Sequence, residues 1–190
     1  MSTTAREKVG VPSRGAAKHE RLFEDLARRF YAGIYNYLCW ISRDTALAED
    51  LTQETFMQVW RHLPELRSER AARPWIYRVA RNQFLQHQRR SAVETVALDD
   101  CAAIDLPDTT SPAPQVRLEQ AALHRAVRLA VDRLADAHRE VIVLHNLEGL
   151  SLAHVGQVLD IPLGTVKSRR ARAFSELRHL LQKEVRSDEV

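Results

Sequence analysis

Cysteine is scarce. The chain has two in 190 residues, Cys39 and Cys101. Two thiols make no disulfide framework, so a reducing, cytoplasmic setting is expected. Cys39 lies in an apolar helical stretch, where a buried thiol acts as a small hydrophobe. The eight histidines are scattered without metal-ligand spacing, so no metal and no cofactor is expected. No apolar run approaches the ~20 residues of a membrane span, and the N-terminus lacks the apolar core of a signal peptide. No strand pattern of useful length occurs. There is no phosphate-binding glycine loop, no Ser/His/Asp order and no carboxylate cluster with metal spacing, which argues against an enzyme or a small-molecule substrate.

Charge is nearly balanced overall, at a formal net +3, but is unevenly placed. Residues 61–90 hold eight Arg against two Glu, and residues 165–183 hold six Lys/Arg against one Glu. Between these blocks, residues 92–119 hold six Asp/Glu against one Arg. Two basic blocks on a tether suggest two anion-binding modules. Phe23, Leu26, Ala27, Phe30, Ile34, Tyr37, Leu38 and Ile41 recur at helical spacing from Glu20 to Ile41. Asp44 or Thr45 can cap a second helix running to about Leu63, with Ala48, Leu51, Thr55, Phe56, Val59 and Leu63 on its apolar side. A polar connector, Pro64 to Arg73, leads to a third helix expected from Pro74 to about Arg90. Asp99, Asp100, Asp105, Asp108 and three prolines then mark a linker. Helices resume at about Leu118 to Leu134 and His138 to Leu147.

The segment Glu148 to Leu177 is the most specific. Gly149 can stop one helix and Ser151 can cap the next, whose Leu152, Val155 and Leu159 share a face. Asp160, Ile161 and Pro162 break that helix. Gly164 and Thr165 open another, with Val166, Ala173, Phe174 and Leu177 on its apolar side and Lys167, Ser168, Arg169 and Arg172 largely opposite. This is the layout of a helix-turn-helix. Gly156 falls where two steeply crossing helices need a small residue, a reason to accept the ~1 kcal/mol that Gly costs inside a helix.

Three segments, in order, carry a family resemblance. Ala48 to Phe56, AEDLTQETF, with Val59-Trp60, resembles the polymerase-binding helix of bacterial sigma factors. Pro74 to Asn82, PWIYRVARN, resembles their −10 recognition helix. Glu148 to Ser151, with Ile161 to Arg169, resembles their −35 helix-turn-helix. The chain resembles an extracytoplasmic-function sigma factor of the sigma-70 family. That resemblance implies an all-α chain of two helical domains, the region 2 bundle and the region 4 helix-turn-helix, joined by a flexible acidic linker. The expected boundaries are a tail at 1–19, region 2 at 20–91, the linker at 92–117, region 4 at 118–184 and a short tail at 185–190. Some positions depart from the family pattern. Arg170 stands where Leu or Ile is usual, and its stem can lie along apolar surface. Ala171 replaces a frequent His or aromatic residue, and His154 a frequent Glu.

The resemblance also implies partners: core RNA polymerase, through the clamp helices of its largest subunit and its flap, promoter DNA, and an anti-sigma factor. It places the chain in the cytoplasm, associated with the nucleoid when in holoenzyme. Glu49, Asp50, Gln53 and Glu54 face away from the apolar stripe of the second helix and are the expected polymerase contacts, with Phe56 and Trp60 as core anchors; a helix start also favours acids through its dipole. Trp75, Tyr77, Arg78, Arg81, Asn82 and Arg89 are the expected −10 DNA contacts. Cations there meet phosphates, and aromatics or the connector hold unstacked bases; the alternative is that Trp75 and Tyr77 are core residues, a reading that for Trp75 has equal standing. His145, Thr165, Lys167, Ser168, Arg169 and Arg172 are the expected −35 contacts, His145 and Arg169 on the DNA backbone, and Lys167, Ser168 and Arg172 on base edges or phosphates. The acidic linker either imitates phosphate charge in a polymerase channel or is a solvated spacer. Two other classes remain open on the residues alone. A stand-alone repressor would bind a palindrome as a dimer, but has no need of the acidic second helix or the Trp/Arg third helix. A helical nuclease would need a metal site.

Overall fold

The structure, a computed structural model, describes residues 14–66, 68–94 and 126–187. Cys101 and almost all of the expected acidic linker lie outside the described residues. Every regular element among the described residues is helical. In chain order they are α1 (Arg14–Ser42), α2 (Thr45–His62), a short 3-10 turn (Leu63–Glu65), α3 (Glu69–Glu94), α4 (residues 126–132), α5 (Asp136–Ile142), a π-helical turn (Val143–Leu147), α6 (Leu152–Leu159) and α7 (Leu163–Ser187).

The N-terminal half packs α1, α2 and α3 around Leu26, Ile34, Leu38, Ala48, Leu51, Val59, Ile76 and Ala80. Asp44 caps α2 by accepting a hydrogen bond from the Leu47 N–H at 3.0 Å. Thr52 and Thr55 are buried because each hydroxyl donates to the carbonyl four residues back, Ala48 and Leu51. α1 begins at Arg14, earlier than its apolar periodicity indicates. His19 supplies a reason: its ring stacks on Trp60 with centroids 4.4 Å apart. α3 begins at Glu69, ahead of Pro74. Ser68 starts the helix by accepting from the Ala71 N–H at 3.3 Å, so a turn forms before the proline arrives. Pro74 sits buried inside the helix as its sixth residue, past the first turn, where it supplies no N–H to the Arg70 carbonyl.

The C-terminal half is built on α5, the π turn, α6 and α7, with Val141, Ile142, Leu144, Leu150, Val155, Val158, Val166 and Ala173 in its core. Ser151 caps α6 by accepting from the His154 N–H at 3.2 Å. Asp160 ends α6 in the left-handed conformation, φ 55°. Gly149 has φ +66°, a conformation that disfavours any side chain. A Cβ on Gly156 would meet the Ile161 carbonyl oxygen at 3.0 Å, so Gly is what lets α6 approach the turn to α7.

The two halves form one continuous core, with α3 laid against α6 and α1 against α5. Polar contacts follow the same seam. The Arg43 guanidinium donates to the Asp132 carbonyl at 2.8 Å, and Arg128 lies over the Trp40 ring, 5.2 Å from its centroid.

Candidate nucleic-acid interface

Three surfaces carry the residues singled out in the sequence. On α2, Glu49, Asp50, Gln53 and Glu54 are all exposed, forming an acidic outer face. Phe56 is buried and does anchor the core. Trp60 does not: it is 42% exposed, edge-on to Phe23, and beside it Met57 is 52% exposed. The α2 surface therefore offers apolar as well as acidic groups. The hydrophobic period put Trp60 outside the main stripe, and its size alone made it look like core.

On α7, helix geometry separates two faces. Val166 and Ala173 are fully buried, whereas Lys167, Ser168 and Arg172 are exposed. Thr165, at the helix start, and Arg169, on the flank, are half-buried. Phe174 departs from the expected apolar side. It is 41% exposed, and the Arg170 guanidinium covers it at 5.1 Å from the ring centroid. Arg170 thus lays its stem on the domain, as its apolar neighbours favour, while its Nε is buried without a hydrogen-bond partner. His145 lies in the π turn, its Nδ1 2.7 Å from the Leu150 carbonyl oxygen. That carbonyl only accepts, so Nδ1 donates, and the ring braces the entry to α6.

α3 presents the third set, and half of it, Tyr77, Arg78 and Arg81, approaches the other half of the molecule. Arg78, Asn82 and Arg89 are exposed, Trp75 is partly buried against the core, and Tyr77 is buried. The Tyr77 hydroxyl donates to the Glu148 carboxylate at 2.6 Å. Arg73 donates to the Glu148 backbone carbonyl. Arg81 donates through Nε to Glu140 at 3.0 Å, and Tyr37 donates to the same carboxylate at 3.3 Å. Arg78 approaches Asp160 at 4.0 Å. Sequence reasoning missed Glu140, Glu148 and Arg73, because nothing in local periodicity pairs residues so far apart in the chain.

Electrostatics at this junction follow from burial. The Tyr77 and Tyr37 phenols are pushed well above their ordinary range, chiefly by desolvation and then by the carboxylates beside them. Burial pushes the Glu148 carboxyl above the usual carboxylate range, while the Tyr77 hydrogen bond and Arg73 oppose the shift. A carboxyl whose folded pKa is raised stabilises the fold most below its unfolded pKa, and that contribution is lost as pH rises through the raised value. Glu148→Gln keeps an acceptor for Tyr77 and removes the titration. Its melting temperature relative to the parent chain should therefore rise as pH is raised from about 4, the ordinary carboxylate range, upward through the raised value. Thermal melts followed by circular dichroism check this, and a constant difference across that range would mean the carboxyl is not desolvated.

No group of three or more His, Cys, Asp or Glu side chains among the described residues could hold a metal ion. No described helix is long and apolar enough to cross a membrane. What α3 and α7 offer is cations, amides and hydroxyls on helices, the groups that meet phosphates and base edges.

Residues 22–93 match the model of sigma-70 region 2, and residues 130–179 match that of sigma-70 region 4. The chain is 35% identical over 173 residues to the ECF RNA polymerase sigma factor SigL of Mycobacterium tuberculosis (strain H37Rv), covering 90% of this chain and 94% of that protein. It is 32% identical over 166 residues to the RNA polymerase sigma factor CarQ of Myxococcus xanthus, covering 84% and 88%. Its fold is similar to that of the sigma factor RpoE from Bartonella quintana, solved in complex with the anti-sigma factor NepR, with a TM-score of 0.70 at 23% identity, covering 85% of this chain and 98% of that one. Two sigma modules in order, together with relatives of this identity and coverage, establish that the chain belongs to the extracytoplasmic-function sigma factors, the promoter-specificity subunits of bacterial RNA polymerase.

Proposed function

We propose that the chain is a non-catalytic specificity subunit that works in the cytoplasm, and at the nucleoid when bound to polymerase. Region 2 takes in α1 to α3, from Arg14 to Glu94, and region 4 ends with α7 at Ser187, each reaching past the boundaries expected at 20–91 and 184, with the tether between the two. The observation that carries this reading is the pairing of an exposed acidic α2 face with an exposed Lys167/Ser168/Arg172 face on α7 in a chain of this family. Glu49, Asp50, Gln53 and Glu54 dock on basic residues of the polymerase clamp helices, with Met57 and Trp60 adding apolar contact beside them. Trp75, Tyr77, Arg78, Arg81, Asn82 and Arg89 meet the −10 element. His145, Thr165, Lys167, Ser168, Arg169 and Arg172 meet the −35 element. An anti-sigma factor is a further partner, since RpoE of similar fold was solved with one.

Reversing Asp50 and Glu54 to Lys is the test of the polymerase surface. Both side chains are exposed, so the helix content should stay nearly unchanged. Removing two favourable charges and adding two repulsive ones should weaken core binding by ~10-fold or more. Competition against the parent chain for labelled core polymerase reads this directly. Equal affinity would remove this face from the interface.

A further inference from the structure

Of Gly33, Gly149, Gly156 and Gly164, three have a reason within the chain. A Cβ at Gly33 would stand 2.6 Å from the Tyr77 hydroxyl oxygen, Gly149 has a positive φ, and Gly156 faces the Ile161 carbonyl. Gly164 is different. A Cβ there would meet nothing within 4 Å, and its backbone is ordinary helix. Helices favour almost any residue over glycine, so no contact inside the molecule asks for one at this position. Gly164 is the second residue of α7 and is exposed. It shares a face with Ser168 and Arg172, one and two turns further on, and both of those are exposed as well.

Ser168 gives the empty position a use. Its hydroxyl donates to the Thr165 carbonyl at 3.0 Å, so the side chain leans back over the first turn of α7. A serine hydroxyl has one hydrogen to give. With that hydrogen spent inside the helix, the oxygen meets a ligand as an acceptor. Serine is also short, so the helix backbone must come close to whatever it touches. A side chain at position 164, one turn earlier on the same face, would stand in that path, whereas a bare Cα leaves it open. On base edges in the major groove the only donors are the adenine N6 and cytosine N4 amino groups. Lys167 and Arg172 beside it only donate, and suit guanine or phosphate oxygens.

We propose that Ser168 reads one base of the −35 element by accepting from the amino group of an adenine or a cytosine, and that Gly164 is the positioning residue that lets α7 come close enough for it to do so. Guanine or thymine in that place would set an acceptor against an acceptor, so those bases are rejected and not merely left unread. The inference rests on the reading of α7 as the −35 helix, and it adds which base chemistry one side chain selects.

The test uses holoenzyme assembled from core polymerase and the full chain, on a promoter duplex mapped by run-off transcription. Each −35 adenine in turn is replaced by purine and each cytosine by 2-pyrimidinone, which removes the amino group. Competition binding read by fluorescence anisotropy gives the affinities. With the parent chain, one such removal should weaken binding about fivefold, the effect of one lost hydrogen bond. Ser168→Ala should bind the intact and the altered duplex alike. Gly164→Leu should lose the same discrimination with Ser168 still in place, and Gly164→Ala should fall between. Neither Gly164 variant should lower the melting temperature, because Ala and Leu favour helix over Gly. Arg172→Ala should weaken binding yet keep the amino-group discrimination. Discrimination that survives Ser168→Ala would overturn Ser168 as the reader. Gly164→Leu that binds and discriminates like the parent would overturn the role of Gly164. A parent chain indifferent to every removal, with Arg172→Ala still impaired, would overturn the proposal and leave α7 on the −35 element. If neither Ser168→Ala nor Arg172→Ala changed binding to any duplex, the −35 reading of α7 would fall with it.

Discussion

Replacing Arg139 by Ala should lower the melting temperature by about 10 °C, the largest stability effect of any single side chain considered. Arg139 is 2% exposed, yet it is charged. Its guanidinium is placed where the end of α4 leaves carbonyls without helical partners. Nη2 donates to Asp132 and Leu134 at 2.9 and 2.7 Å, Nε to Val131 at 3.3 Å, and Nη1 to the Asp136 carboxylate at 2.9 Å. Truncation strands the Leu134 carbonyl and weakens the satisfaction of two others, besides opening a cavity. Costs of this kind amount to about 3 kcal/mol. The Asp136 contact adds little, since its carboxylate is 86% exposed. Lys at this position restores the charge but not the fork, so Arg139→Lys should recover only a small part of the loss. A melting temperature within a degree or two of the parent (about the effect of a neutral surface change) would show that the α4 end is satisfied by water instead.

Replacing Arg172 by Ala should weaken binding to a cognate promoter by ~1–3 kcal/mol, roughly five- to 150-fold. Arg172 is exposed and lies opposite buried Ala173 and Val166, so truncation leaves the core of region 4 untouched. The manner of the loss identifies the contact. If Arg172 reads a base edge, the preference at one −35 position should relax while other positions keep theirs. If it clamps a phosphate, the loss should be uniform across sequences and the salt dependence should become shallower. Binding assays on promoter variants at several salt concentrations separate the two. Undiminished affinity for every sequence would remove Arg172 from the DNA interface.

The local features of the fold were legible because they depend on near neighbours. Ser151, Gly149 and Pro162 bracket α6 through capping, a positive φ and a blocked backbone, and each acts within a few residues. Gly156 could be read the same way, as a close approach that the Ile161 carbonyl then supplies. The start of α3 was missed although Ser68 carries the signal; Pro74 is the louder residue and drew the boundary to itself. Trp60 was misplaced because its bulk suggests burial, while its position on α2 is at the edge of the apolar stripe. The seam was not legible at all. Arg81 and Glu140 are 59 positions apart, and Tyr77 and Glu148 are 71 apart. No helical period relates them, and each is an ordinary surface residue of its own half until the halves meet. A glycine at position 33 is likewise mute in sequence, since a Cβ there would meet two side-chain oxygens, of Tyr77 on α3 and of Glu148 just after the π turn.

Run-off transcription shows whether this chain directs RNA polymerase to promoters. Core polymerase is combined with the chain on a genomic DNA library, and the 5′ ends of the transcripts are mapped. Initiation is expected at discrete sites that share a −35 and a −10 element at fixed spacing, absent with core alone and lost when Asp50 and Glu54 are reversed to Lys. No transcripts above the core-only level, from core that a different sigma factor does activate, would contradict it.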